Sequence, residues 1–234
     1  MNYFAHGRAF LDEPYFLAGT AVPDWLNVVD RKVRVRPKHA AAFLDDLPDV
    51  DPDVNHFDGA TAAIARGIQR HHRDDAWFHE TRAFAELSLA FTAKIRRFLA
   101  PADDLRPTFI GHILVELLLD AALIARDPER LHAYYRAIDA VDPAVVERAV
   151  NRLAPRQTDK LTVFLRVFCR ERFLFDYAMD AKLTFRLNQV LRRVGLPPLP
   201  DAFADLLPAA RAAVDERVDE LLAGSAPAAQ PLNI

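Results

Sequence analysis

The sequence predicts an all-α protein, and three observations support this. Strong helix formers dominate the composition, whereas only seven of the 234 residues are glycine. Apolar residues recur at spacings of three and four over long stretches. Convincing alternation of apolar and polar residues, which is typical of half-buried strands, is missing. The one stretch that alternates, residues 31–38, is short and basic and contains Pro37, so we interpret it as an extended loop.

Two helices are expected in the middle of the chain. Residues 81–99 repeat apolar side chains at three and four positions and predict an amphipathic helix. Residues 107–127 are apolar nearly all round, which is typical of a helix buried at the centre of a protein.

The C-terminal third predicts further helices. Residues 158–195 form either one long helix or two consecutive ones, with Gly195 as the stop signal before a proline-rich turn. Residues 201–224 form a last amphipathic helix, with a kink or a restart at Pro208. We therefore expect a compact single-domain helical bundle over residues 1–224 and a flexible tail over 225–234.

Composition and charge restrict the function. The formal net charge is -3 and the sequence pI is about 6.2, so no basic field favours nucleic acid. No apolar run approaches the ~20 residues needed to cross a bilayer, and the N-terminus lacks the basic-then-apolar order of a signal peptide. The single cysteine, Cys169, cannot form an internal disulfide and suits a buried apolar role. These observations favour a cytoplasmic protein without nucleic-acid or membrane partners, and they leave its oligomeric state open.

Polar residues that suit a metal site cluster in one stretch, GIQRHHRDDAWFHE, at positions 67–80. On a helix, His71 and Asp75 lie on one face at i and i+4, whereas Asp74 lies about 100° from Asp75. We expect His71 and Asp75 to point inward, Asp74 to point elsewhere and His79 to lie at the rim. Imidazole nitrogens and carboxylate oxygens suit Zn, Mn or Fe. The alternative is the solvated polar face of a charged helix.

A second pair lies on the predicted central helix. His112 and Glu116 are at i and i+4 and interrupt an otherwise apolar sequence, where an unpaired buried carboxylate is costly. The two side chains are either metal ligands or a structural pair. Near the first cluster, Arg73 is a candidate phosphate contact, and His72 and His79 are candidate general acids.

Three motifs resemble the acyl-carrier-protein phosphodiesterase family in order and spacing. The matching residues are Met1, Asn2, Ala5 and His6, then Gly19, Asp24 and Trp25, then Gly67, Ile68, His71 and Asp75. The resemblance implies a helical fold related to the HD-type metal-dependent phosphohydrolases. It also implies removal of the 4'-phosphopantetheine arm from acyl carrier protein with a divalent metal, typically manganese, with iron and zinc as alternatives.

The same resemblance implies which residues hold the metal. The motif positions that supply the ligands are matched by His6, Asp24, His71 and Asp75. Without the resemblance, His6 suits a histidine buried in the core, and Asp24 suits a turn or a helix cap. We expect His112 and Glu116 to add ligands or to support them.

The chain departs from the family pattern at four places. His72 replaces an arginine, Asp74 an isoleucine, His79 an aspartate, and Val115-Glu116 an Asp-His pair. These departures keep two alternatives open. One is a phosphohydrolase of a small-molecule phosphate ester, and the other is a helical interaction protein without catalytic activity.

Overall fold

The computed structural model describes residues 1–47, 56–99 and 107–224. Within these ranges the chain forms α-helices and short 3-10 helices and no strand, which confirms the predicted all-α class. The predicted C-terminal tail, 225–234, lies outside the described residues.

Twelve α-helices occur in the described ranges. They are α1 Tyr3–Gly7, α2 Pro14–Val29, α3 Pro37–Asp45, α4 His56–Glu80, α5 Arg82–Leu99, α6 Pro107–Arg126, α7 Pro128–Asp139, α8 Pro143–Leu153, α9 Leu161–Glu171, α10 Asp180–Arg193, α11 Leu207–Asp215 and α12 Val218–Leu222. Two 3-10 helices, Phe173–Ala178 and Asp201–Leu206, precede α10 and α11. Five of the α-helices begin at a proline, whose fixed φ and missing N–H suit the first helical position.

Helices α5 and α6 confirm the two helices expected in the middle of the chain. The segment 158–195 resolves into two helices, α9 and α10, separated by a 3-10 turn. Gly195 stops α10 as predicted, because it adopts a φ of 75° and the next amide, Leu196, bonds the carbonyl of Leu191 at 2.9 Å.

The last predicted helix, 201–224, is divided into a 3-10 turn and two α-helices, and α11 places Pro208 in its first turn. The loop prediction for 31–38 holds only as far as Arg36. Pro37 and Lys38 begin α3 instead, since proline fits a helix start.

The described residues divide into two compact units. Unit A comprises Tyr3–Asp74 and Pro128–Phe173. Unit B comprises Met1–Asn2, Asp75–Asp127 and the described residues from Leu174 onward. The long helix α4 contributes its first part to unit A and its last six residues to unit B.

The core of unit A is aromatic around α2. Phe168 on α9 lies with its ring centroid 5.5 Å from those of Tyr3, Trp25 and Tyr135. Helix α2 packs on α1, α7 and α9, and its residues from Leu17 to Val22 are all buried. Because α2 is surrounded by these helices, their packing fixes its position within unit A.

The core of unit B is the α5–α6 pair, on which α11 and α12 pack. Gly111 on α6 permits the close approach, since a Cβ there would lie 2.9 Å from the carbonyl oxygen of Ser88 on α5. Among the described helices, α6 alone is long and apolar enough to cross a membrane, and 61% of its most apolar 18-residue stretch is buried inside the protein. Such burial is also typical of a core helix.

Candidate metal centre

Two glycines bring α2 and α4 into backbone contact. A Cβ on Gly67 would lie 2.2 Å from the carbonyl oxygen of Phe16 and 2.8 Å from the Cα of Gly19. A Cβ on Gly19 would lie 2.4 Å from the carbonyl oxygen of Ile64. No side chain fits between the two backbones, so glycine at both positions lets α2 and α4 touch.

His71 lies one turn beyond this contact and is held by α2. Its side chain is buried, and its Nδ1 lies 2.8 Å from the carbonyl oxygen of Thr20. A carbonyl only accepts hydrogen bonds, so Nδ1 carries the proton and donates it. A neutral ring with this tautomer presents the lone pair of Nε2, the form in which histidine binds a metal ion.

His6 and Asp24 complete a group of three candidate ligands. His6 on α1 is 1% exposed, and its ring stacks on that of His71 with centroids 4.1 Å apart. Asp24 lies inside α2, directly after Pro23, and therefore neither in a turn nor at a cap. One ligand atom from each of His6, Asp24 and His71 lies within 4.8 Å of the others. Two imidazoles and a carboxylate are a donor set that suits zinc, iron or manganese.

Asp74 borders this group. Its Oδ2 lies 3.7 Å from Nδ1 of His6, and its carboxylate accepts from Nε of Arg70 at 2.8 Å. Burial alone would raise the pKa of Asp74, but the polar contact with His6 and the hydrogen bond and charge of Arg70 outweigh burial and lower it. The Asp74 carboxylate is therefore ionised at neutral pH and offers His6 an acceptor.

The prediction that Asp74 points away from the site was wrong. Asp75, which was expected to converge with His71, instead accepts from the N-terminal amine of Met1 at 2.7 Å, and it is not among the three residues of the group. Residues i+3 and i+4 flank His71 on opposite sides of the same helical face. Spacing alone does not reveal which flank His6 occupies, and in the structure it is the flank of Asp74.

Unit B carries a second group, formed by His79, His112 and Glu116. Oε1 of Glu116 lies 3.0 Å from Nε2 of His79 and 3.1 Å from Nε2 of His112. Burial would raise the pKa of Glu116, but the charge of the Met1 amine and the hydrogen bonds from both histidines lower it to about 2. The predicted His112–Glu116 pair is thus present, and His79 joins it.

The remaining predicted residues lie around these groups. Arg73 is exposed on α4, and its role as a phosphate contact stays a prediction. Nε2 of His72 lies 3.0 Å from the carbonyl oxygen of Val35 and donates to it, and the role of His72 as a general acid stays a prediction. Sequence reasoning missed Arg70 as the partner of Asp74, although their i, i+4 spacing is a detectable signal.

Comparison with known proteins adds no identification. No protein-family model, no curated protein and no solved structure matches the chain.

Proposed function

We propose that this chain is a divalent-metal-dependent phosphoesterase. The observation that carries the proposal is the convergence of His6, Asp24 and His71, which come from three different helices and place ligand atoms within 4.8 Å of one another. The polar face of a helix does not bring such groups together, because burying polar side chains away from water costs free energy unless they are compensated. Two buried histidines stacked on each other beside a carboxylate form an arrangement that a cation would stabilise.

The residues of the group have distinct tasks in this proposal. The Thr20 carbonyl keeps a proton of His71 on Nδ1, so Nε2 would be the atom that holds the ion. Asp74 orients His6 and is itself held by Arg70. A divalent cation, when bound, would polarise a phosphoryl oxygen and lower the pKa of water at the site. Manganese is the first choice, with iron or zinc as alternatives.

The substrate class follows from the motif resemblance. The segments around His6, Asp24 and His71 resemble the acyl-carrier-protein phosphodiesterase motifs, and these three residues are the ones that assemble. We therefore propose the 4'-phosphopantetheine ester of holo acyl carrier protein as the substrate. A smaller phosphate ester is the alternative, favoured by the departures from the family pattern at Asp74 and His79.

Metal content and turnover test the proposal. Protein purified without chelator is analysed for bound metal and assayed with Mn²⁺ on a generic phosphodiester and on holo acyl carrier protein, whose mass falls if the arm is removed. His71→Gln and Asp24→Asn should each bind one metal equivalent fewer than the wild type and lose turnover, whereas Glu80→Gln, an exposed carboxylate on the same helix as His71, should keep the wild-type metal content and turnover. Residues that act as one unit should make the double variant scarcely worse than either single variant.

Three outcomes separate the candidates. Turnover of the generic ester with unchanged carrier protein would favour the small-molecule phosphohydrolase. Folded wild-type protein that repeatedly shows neither metal nor turnover would favour a helical interaction protein. Equal metal content in wild-type and His71→Gln protein would contradict the assignment of the ligands.

A further inference from the structure

We propose that His79, His112 and Glu116 form a second transition-metal site, which takes a cation of the zinc and iron(II) class. The three residues lie in unit B and share no member with the His6, Asp24 and His71 group. The inference therefore does not rest on the proposed function.

Two of the three distances between the candidate ligand atoms are already close to those around a bound ion. Both histidine Nε2 atoms face the same Glu116 oxygen, at 3.0 and 3.1 Å. In a tetrahedral site with bonds of about 2.0–2.1 Å, ligand atoms lie roughly 3.3 Å apart. The two Nε2–Oε1 separations are thus within about 0.3 Å of those around a bound ion, and all three ligand atoms lie within 4.8 Å of one another.

Binding of an ion requires only an exchange of protons within each imidazole. In its neutral form, each ring carries its proton on Nε2, because a carboxylate accepts and does not donate. A cation would take the Nε2 lone pair while the proton moves to Nδ1 through solvent, so each ring keeps one proton and no other reactant is needed.

The surroundings favour a cation that enters from solvent. The side chains of His79 and His112 are 35% and 39% exposed, whereas Glu116 is 14% exposed. Phe84 holds both imidazoles from the side, with its ring centroid 4.8 Å from each. Such exposure leaves room for water to complete the coordination.

The charge balance also favours a cation. The Met1 amine lies 3.5 Å from Glu116 but is closer to Asp75, at 2.7 Å. The one ammonium and the two carboxylates together carry a net charge of −1. An imidazole-rich set selects zinc, iron(II) or cobalt over magnesium and calcium, which prefer oxygen ligands throughout.

Zinc titration against a chromophoric chelator tests the site, using the full chain after removal of metal. Glu116→Gln and His112→Gln should each lower the affinity for one Zn²⁺ equivalent by more than about 100-fold. Loss of a group that only supports a ligand lowers metal affinity by at most about 100-fold. Glu80→Gln, next to His79 in sequence and exposed, is the matched control and should leave both affinity and stoichiometry unchanged. Helix content and melting temperature report whether each variant folds.

The absorption spectrum of bound Co²⁺ provides a second measurement, because loss of a nitrogen ligand in His112→Gln should change its visible bands. If the first group binds no metal, wild-type protein will take up one equivalent, which His71→Gln retains and Glu116→Gln loses. That result would defeat the proposed function and support this site. Folded Glu116→Gln and His112→Gln proteins that bind zinc as wild type does would overturn this site instead.

Discussion

Replacement of Gly67 by alanine should destabilise the protein, although alanine is the better helix former. Residue 67 lies inside α4, where alanine is favoured over glycine by about 1 kcal/mol on propensity alone. Its new Cβ, however, would meet the Phe16 carbonyl oxygen at 2.2 Å, whereas real Cβ contacts essentially never fall below 3.0 Å. All three nearest atoms belong to backbone, so no side-chain rotation relieves the collision.

The magnitude follows from these opposing effects. Overpacking costs about 1–3 kcal/mol, and the rigid backbone neighbours place this case at or above the upper end. After the gain in propensity is subtracted, a net loss of about 2 kcal/mol in the free energy of unfolding is expected. For a chain of this length, that loss lowers the melting temperature by about 4–8 °C. Metal affinity should fall as well, because ligand distances tolerate only about ±0.2 Å.

Gly59→Ala is the matched control on the same helix. A Cβ at Gly59 has nothing within 4 Å, so this variant should gain about 0.5–1 kcal/mol. Thermal melts followed by circular dichroism compare both variants with wild type. A Gly67→Ala protein that melts at or above the wild-type temperature would refute the close contact between α2 and α4.

Other parts of the chain give three more predictions. Asp74→Asn should weaken metal binding at the His6 group about 10–100-fold, measured by titration, because it removes the charge beside His6; unchanged affinity would separate Asp74 from the site. Burial and the charge of Asp139 raise the pKa of Cys169 to about 11. Since the thiolate is scarce at pH 8, alkylation by iodoacetamide should be at least about 10-fold slower than for a peptide cysteine and should accelerate as pH rises toward that pKa. Asn188→Ala removes two hydrogen bonds to the backbone of Leu199 and should cost about 1–3 kcal/mol in denaturant melts, whereas a neutral result would contradict that contact.

The helices themselves could be predicted because their signals are local. Apolar spacing located α5 and α6, and Gly195 marked the end of α10 through its left-handed conformation. The division of residues 201–224 into shorter helices was harder to predict from the sequence. Pro208 fits both a kink and a first turn, and only its neighbours in three dimensions decide between them.

The candidate site could be predicted only in part. The resemblance named His6, Asp24 and His71 together, and the structure assembles them. The choice between Asp74 and Asp75 depended on where α1 lies beside α4, a long-range contact that leaves no trace in helical spacing. His79 was assigned to the rim for the same reason, since its approach to Glu116 depends on how α6 packs.

The hydrogen bond from His71 to the Thr20 carbonyl also provides a spectroscopic reporter. An imidazole proton that is buried and donated over 2.8 Å is protected from exchange with water, so it should give a sharp proton resonance far downfield of the amides. This single line would exist before any ion is added. On addition of Mn²⁺, whose unpaired electrons broaden nearby protons, its disappearance would report occupancy at His71, whereas zinc would only shift it. One-dimensional NMR of the wild-type protein could therefore follow ion binding at this histidine directly, without substrate and without mutation.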